Sequence, residues 1–181
     1  ITAQDGGVAA WQFYLPIAIL NQEFAKRVHG LFWDRYHDQY RKQPFQLCGC
    51  ESGGSLLISA LQRPAWGDIR APAFMIKKAA KAYGLKNWLE GAVLPNVPVL
   101  LVDDVIGSGK TIRAQAKRLI EFGLRVAGIF SVVACKKTAP ELWEEIGMVP
   151  ELLFEPSDFA RLHEEYVHKY GKQPTFQGTV V

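Results

Sequence analysis

Asp103 and Asp104 stand side by side at the end of the apolar run Val99-Leu100-Leu101-Val102. A small-residue stretch, Val105-Ile106-Gly107-Ser108-Gly109-Lys110-Thr111, follows them directly. Two adjacent carboxylates suit sugar hydroxyls or a metal ion and repel a phosphate. Small residues opening into a helix do the reverse, because free backbone N–H groups and a helix N-terminus attract an anion. In open α/β sheets, ligands bind at the carboxyl ends of the strands, which is where this order of residues falls. A ligand with both a vicinal diol and a phosphate, a phosphorylated ribose, satisfies both halves. Without any partner the paired acids would cost stability at the end of a buried strand.

One competing pattern overlaps this one. Gly107-Ser108-Gly109-Lys110-Thr111 has the ending of an ATP-binding P-loop, which requires a further glycine five positions before Gly109. Asp104 occupies that position, and its carboxylate would face the phosphates such a loop cradles.

Two other stretches carry chemistry. Cys50-Glu51-Ser52-Gly53-Gly54 lies between a predicted strand and a predicted helix. Its glycines let the backbone approach a ligand and offer N–H groups to it. Met75-Ile76-Lys77-Lys78-Ala79-Ala80-Lys81-Ala82-Tyr83-Gly84 follows another strand. Lys77, Lys78 and Lys81 supply compact positive charge suited to a multiply charged leaving group.

The 99–111 segment resembles the phosphoribosyl-diphosphate (PRPP) motif of type I phosphoribosyltransferases. The resemblance implies that Asp103 and Asp104 hold the ribose 2- and 3-hydroxyls, and that the stretch Ile106, Gly107, Ser108, Gly109, Lys110 and Thr111 cradles the 5-phosphate. It makes Glu51, Ser52 and Gly53 the pyrophosphate loop, aided by Lys77, Lys78 and Lys81. Asp103, Asp104 and Lys81 are the residues it implies for catalysis. The lysine run is similar to the Arg-Lys-x-x-Lys-x-His-Gly signature of orotate phosphoribosyltransferases: Lys78, Lys81 and Gly84 match, Lys77 replaces Arg and Tyr83 replaces His. Glu90-Gly91 matches an acidic-Gly pair that follows. Residues 1–44 lack the Ser-Gly-Arg segment of the orotate enzymes, and Cys135-Lys136-Lys137 stands where they often carry Asp-Arg, which leaves Lys136 to meet an anionic base. Gly107 occupies a position where the 6-oxopurine enzymes use an Asp, which argues against hypoxanthine or guanine. The implied activity is transfer of ribose 5-phosphate from PRPP to a nitrogenous base, a pyrimidine such as orotate, with release of pyrophosphate. Mg²⁺ borne by the pyrophosphate is the implied cofactor, with no assigned protein ligand, and a homodimer is the implied assembly. The alternative is a regulatory protein of the same fold that binds PRPP or a nucleotide and catalyses nothing.

The elements that must position these residues alternate from residue 45 onward. Strands are expected at Phe45–Cys50, Ala71–Ile76, Val97–Val102, Val126–Ala134 and Leu152–Phe154, and helices at Leu56–Leu61, Thr111–Phe122, Pro140–Ile146 and Pro156–Tyr170. This is an α/β fold with a mostly parallel central sheet flanked by helices. Upstream, apolar positions from Ile17 to Phe32 recur at helical spacing, and one helix is expected from Pro16 to about Tyr40. Residues 1–44 are assigned to a small N-terminal hood and 45–181 to the core. Residues 79–96 read as a long, partly mobile loop.

Composition bounds the rest. The 181 residues are 49% hydrophobic and 22% charged with net charge +3, which fits one globular domain and an anionic small substrate. No nucleic-acid partner is indicated by so mild a basicity. No apolar run has the length of a membrane span, and the first residues lack a signal-peptide pattern. The chain starts at Ile1, so it is read as trimmed. Three cysteines with no second ligand cluster read as free buried thiols of a cytoplasmic protein. The four histidines do not cluster with acids and read as surface or packing residues.

Overall fold

The computed structural model describes residues 14–63, 70–79, 87–135 and 141–170. Twelve elements lie within them. They are α1 (Leu15–Leu20), α2 (Gln22–Lys42), β1 (Gln46–Cys50), α3 (Gly53–Leu61), β2 (Ala73–Ile76), β3 (Leu89–Gly91), β4 (Val99–Ile106), α4 (Lys110–Glu121), β5 (Val126–Ala134), α5 (Glu141–Glu144), β6 (Glu151–Phe154) and α6 (Pro156–Tyr170). The six strands form one sheet in the order β3-β2-β1-β4-β5-β6. Every pairing is parallel except β2 with β3.

Both faces of the sheet are covered, so its central strands are apolar on both sides, as parallel sheets require. All of β1 is buried, and so are the first four residues of β4 and the last six of β5. The two-residue period of a strand sorts their side chains between two cores. Leu47, Leu100, Val102, Phe130 and Val132 join Phe32, Trp33, Tyr36, Leu57 and Leu61 on the face covered by α2 and α3. Cys48, Cys50, Val99, Leu101 and Ile129 join Ile112, Ala116, Leu119 and Trp143 on the face covered by α4.

Several expectations are refined. The N-terminal helix is two helices, because Asn21 is extended and its side chain accepts the Glu23 and Phe24 N–H groups at 3.1 Å each. A capping side chain of this kind starts a new helix rather than continuing the old one. Residues 15–42 also share one core with the sheet: Trp33 and Tyr36 pack on Phe45, and Phe32 and Tyr36 on Phe130. The boundary at 44/45 is therefore a change of element within a common core, and residues 1–13 of the expected hood lie outside the described residues. Part of the expected 79–96 loop is strand β3, paired antiparallel to β2 with Phe74 opposite Gly91. Three residues are too few to show a period. α3 begins at Gly53, so only Glu51 and Ser52 remain of the turn after β1. β4 runs on through both aspartates to Ile106, paired with β5 as far as Ala134.

Candidate functional site

The chain leaves β1 toward β2 on one side, while β4, on the other side of β1, leads away toward β5. The strand order reverses at this point, so the turns that follow β1 and β4 part and leave a crevice between them. A cavity of about 350 Å³ opens there. It is lined by Glu51, Ser52 and Gly53 after β1, by Lys78 after β2, by Asp103, Asp104 and Ile106 of β4, and by Gly107, Ser108, Gly109, Lys110 and Thr111. Twelve of the residues expected from sequence thus meet in one place.

The acids sit on the last turn of pleat. Asp103 is opposite Ser131 in the β4–β5 ladder, and Ser131, buried, places its hydroxyl 3.1 Å from the Asp104 carbonyl oxygen. The Asp103 carboxylate accepts the Asp104 N–H at 3.1 Å. Burial pushes the Asp103 carboxyl above the usual carboxylate range, and the neighbouring Asp104 charge pushes it further; its own backbone hydrogen bond and Lys78 oppose this. The Asp104 side chain occupies space that Gly53 leaves empty: a Cβ on Gly53 would lie 2.1 Å from Asp104 Oδ1. Glycine is needed at 53 for that close approach.

The anion-binding half is built on α4. Gly109 is its N-cap, with φ +74°, and the ring of Trp143 would lie 2.9 Å from a Cβ there. Both the left-handed backbone and the close ring require glycine. The first N–H groups of α4 have no intrahelical acceptor, and Lys110, Thr111 and Ile112 of that turn line the cavity. The helix spans 12 residues, so its aligned peptides add a favourable field for an anion at this end.

Glu51 lies between these halves. Its N–H donates to the Ile76 carbonyl oxygen at 3.1 Å, and its Oε2 accepts the Lys78 N–H at 2.9 Å. The Glu51–Ser52 peptide bond is cis.

Lys77 is a correction. Its side chain is buried and paired with Glu90 of β3, and it does not line the cavity. Alternation along the end of β2 sends Lys77 and Lys78 to opposite sides, so only one of them can reach the crevice. Lys81 and Lys136 lie outside the described residues. Four lining residues were not anticipated: Tyr14, Pro16, Val105 and Ile112. Val105 lies inside the motif and Ile112 directly after it, and both were legible from it. Tyr14, the N-cap of α1, and Pro16 within α1 arrive from the start of the described chain, and only tertiary packing places them there.

Cys48 and Cys50 are free, and burial pushes both thiols up, so they are inert packing groups. His29 is buried, with Nδ1 3.2 Å from the Ala60 carbonyl oxygen, and burial lowers its pKa.

Comparison with known proteins gives a consistent picture. The family model described as phosphoribosyl transferase domain matches residues 18–169. Orotate phosphoribosyltransferase of Pyrococcus abyssi is 40% identical over 102 residues, covering 56% of this chain and 54% of that protein. The Synechocystis enzyme of the same name is 26% identical over 121 residues, covering 66% and 61%. This chain spans about half to three fifths of the length of such curated relatives. Among solved structures, Mycobacterium tuberculosis H37Rv orotate phosphoribosyltransferase with Fe(III) dicitrate superposes with TM-score 0.70 at 22% identity, over 88% of this chain and 89% of that one. The same enzyme in complex with PRPP gives TM-score 0.68 at 20% identity, over 84% of each chain. These neighbours share the fold.

Proposed function

We propose, from the premise that this chain belongs to the phosphoribosyltransferase family, that it transfers the ribose 5-phosphate of PRPP to a nitrogenous base and releases pyrophosphate. The observation that carries this reading is the meeting of the Asp103–Asp104 pair, the α4 N-terminus and the Glu51–Gly53 turn around one cavity at the reversal of strand order. An orotate-like pyrimidine is the favoured base, supported by the names of the relatives.

In this reading a ring nitrogen of the base bonds to C1 of the ribose as the C1–oxygen bond to the diphosphate breaks. Pyrophosphate leaves with the bonding pair. Asp103 and Asp104 fix the ribose hydroxyls, and the negative charge carried by the pair favours the positive character that develops on the sugar ring. The N–H groups at 107–111 anchor the 5-phosphate, which turns binding into orientation of C1. Lys78 faces the leaving diphosphate.

Mg²⁺ fits as an ion carried by the substrate. Among the described residues no group of three or more His, Cys, Asp or Glu is placed to hold a metal, and Mg²⁺ is commonly held by one or two carboxylates together with substrate phosphates. Asp103 and Asp104 would hold it through its water shell. When bound, it supplies charge neutralisation on the diphosphate oxygens. A homodimer and a cytoplasmic location belong to the same proposal and rest on the family resemblance. Among the described residues no helix is long and apolar enough to cross a membrane.

The test is pyrophosphate release by the purified protein with PRPP, Mg²⁺ and a panel of bases. Release with orotate or a related pyrimidine is expected. Tight binding of PRPP or a nucleotide without release from any base would replace catalysis with a regulatory role.

A further inference from the structure

Glu51 puts a negative charge on the wall of a cavity suited to anions, and its contacts explain why. β1 and β2 are parallel neighbours, with Cys50 paired to Ile76 at the end of the ladder. Beyond that pair the Glu51 N–H still reaches the Ile76 carbonyl oxygen at 3.1 Å. One residue further the backbones diverge, and there the Glu51 carboxylate takes over, accepting the Lys78 N–H at 2.9 Å.

What this tie holds is a choice of side. Lys77 points away from the crevice and pairs with Glu90, and its N–H donates to the Trp88 carbonyl oxygen at 2.9 Å. Lys78 is exposed and lines the cavity. Freeing the backbone at 78 would release the cation that stands on the Glu51 side of the cavity from its position. The same turn meets the acid pair two residues later, where Gly53 backs onto the Asp104 carboxylate. Facing an anionic ligand, the Glu51 carboxylate would only be repelled. As acceptor of a backbone N–H, its charge strengthens the hydrogen bond.

We propose that Glu51 is a positioning residue: its carboxylate holds the Lys78 backbone, and through it the Lys78 ammonium, against the diphosphate end of the cavity, and itself contacts neither diphosphate nor metal ion. This deepens the PRPP reading of the cavity and rests on it.

Glu51→Ala removes both acceptor and charge, whereas Glu51→Gln keeps an acceptor. Glu51→Ala is expected to raise KM for PRPP about tenfold, the scale of losing a hydrogen bond to a charged group. It leaves KM for the base within about twofold, as for a contact remote from the base. It also accelerates tryptic cleavage after Lys78, because the tied backbone is freed. Glu51→Gln stays within about twofold of the unaltered protein in KM and keeps the same Mg²⁺ midpoint. Tryptic cleavage needs no turnover, so it reads the tie independently of the reaction. If the unaltered protein releases no pyrophosphate, the transferase reading fails. Calorimetric binding of inorganic pyrophosphate then takes the place of KM, with the same order of variants expected. Glu51→Gln falling as far as Glu51→Ala, with a shifted Mg²⁺ midpoint, overturns the proposal and makes the carboxylate a partner of the cation. Unchanged cleavage and unchanged affinity in Glu51→Ala overturn it as well.

Discussion

The face of the sheet under α2 and the carboxyl ends of β1 and β4 are built on the same strands by opposite rules. Under α2, Phe32, Trp33, Tyr36, Phe45 and Phe130 interlock with ring centroids 4.7–6.3 Å apart, four of the six pairs edge to face and two stacked. Large apolar groups fill that space, and the gain is burial and packing. A few residues along the same strands, two carboxylates abut, glycines replace side chains and a helix end points at a cavity. There the chain gives up packing and accepts charge repulsion that a backbone hydrogen bond and Lys78 offset only in part. The contrast predicts that core substitutions lower stability and spare chemistry, while site substitutions cost chemistry without lowering stability.

The largest effect is expected in the core. Trp33→Ala removes a side chain that is 1% exposed and frees the Leu61 carbonyl oxygen, which Trp33 Nε1 reaches at 2.9 Å. It should cost about 3–5 kcal/mol in urea unfolding, with PRPP-dependent turnover kept at temperatures where the variant is folded. Asp104→Asn is the mirror image. It should lower turnover about 10²–10³-fold with no fall in the unfolding midpoint, and unchanged turnover would remove the assigned role of the acid pair.

Two glycines sharpen the comparison within the site. Gly53→Ala drives a methyl into the Asp104 carboxylate, and a displacement of that kind should lower kcat/KM about a hundredfold. Gly107→Ala meets nothing within 4 Å, so kcat/KM should stay within about twofold.

The smaller effects are linkage effects of opposite sign. The Asp103 carboxyl is raised in the folded state, so from the ordinary carboxylate pKa up to the folded value the folded state holds the extra proton. Stability from this group therefore falls as pH rises through that window. Asp103→Asn should raise the thermal midpoint of the unliganded protein at neutral pH, each kcal/mol relieved being about 2–4 °C, while abolishing PRPP binding. His29 is lowered, so below its ordinary pKa near 6.5 the unfolded state binds the proton first. Stability from this group is full above that pH and falls as pH drops toward the folded value. His29→Gln should flatten that acid limb in thermal scans between about pH 5 and 7.

Much of the fold was legible because its signals are local. β5 and α6 appear with the bounds expected from their apolar pattern, Val126–Ala134 and Pro156–Tyr170. The acid pair and the phosphate loop were readable because one short stretch carries strand, acids, turn and helix start in order. What was not legible depends on a partner elsewhere in the chain. β3 exists because β2 offers it an edge, and the split at Asn21 depends on where one polar side chain finds N–H groups. The direction of Lys77 was equally invisible, since three lysines in a row of small residues do not say which one meets Glu90.

By itself the sequence determined the alternation of strands and helices, the chemistry on offer at Asp103–Thr111, and the need for glycine where backbone must come close, because these follow from residue type and spacing within a few positions. Tertiary structure decided that the turns after β1, β2 and β4 share one cavity, that Lys78 rather than Lys77 faces it, and that Tyr14 and Pro16 form part of its wall. Those outcomes depend on strand order and on the pairing of residues far apart in the chain, which no local pattern encodes.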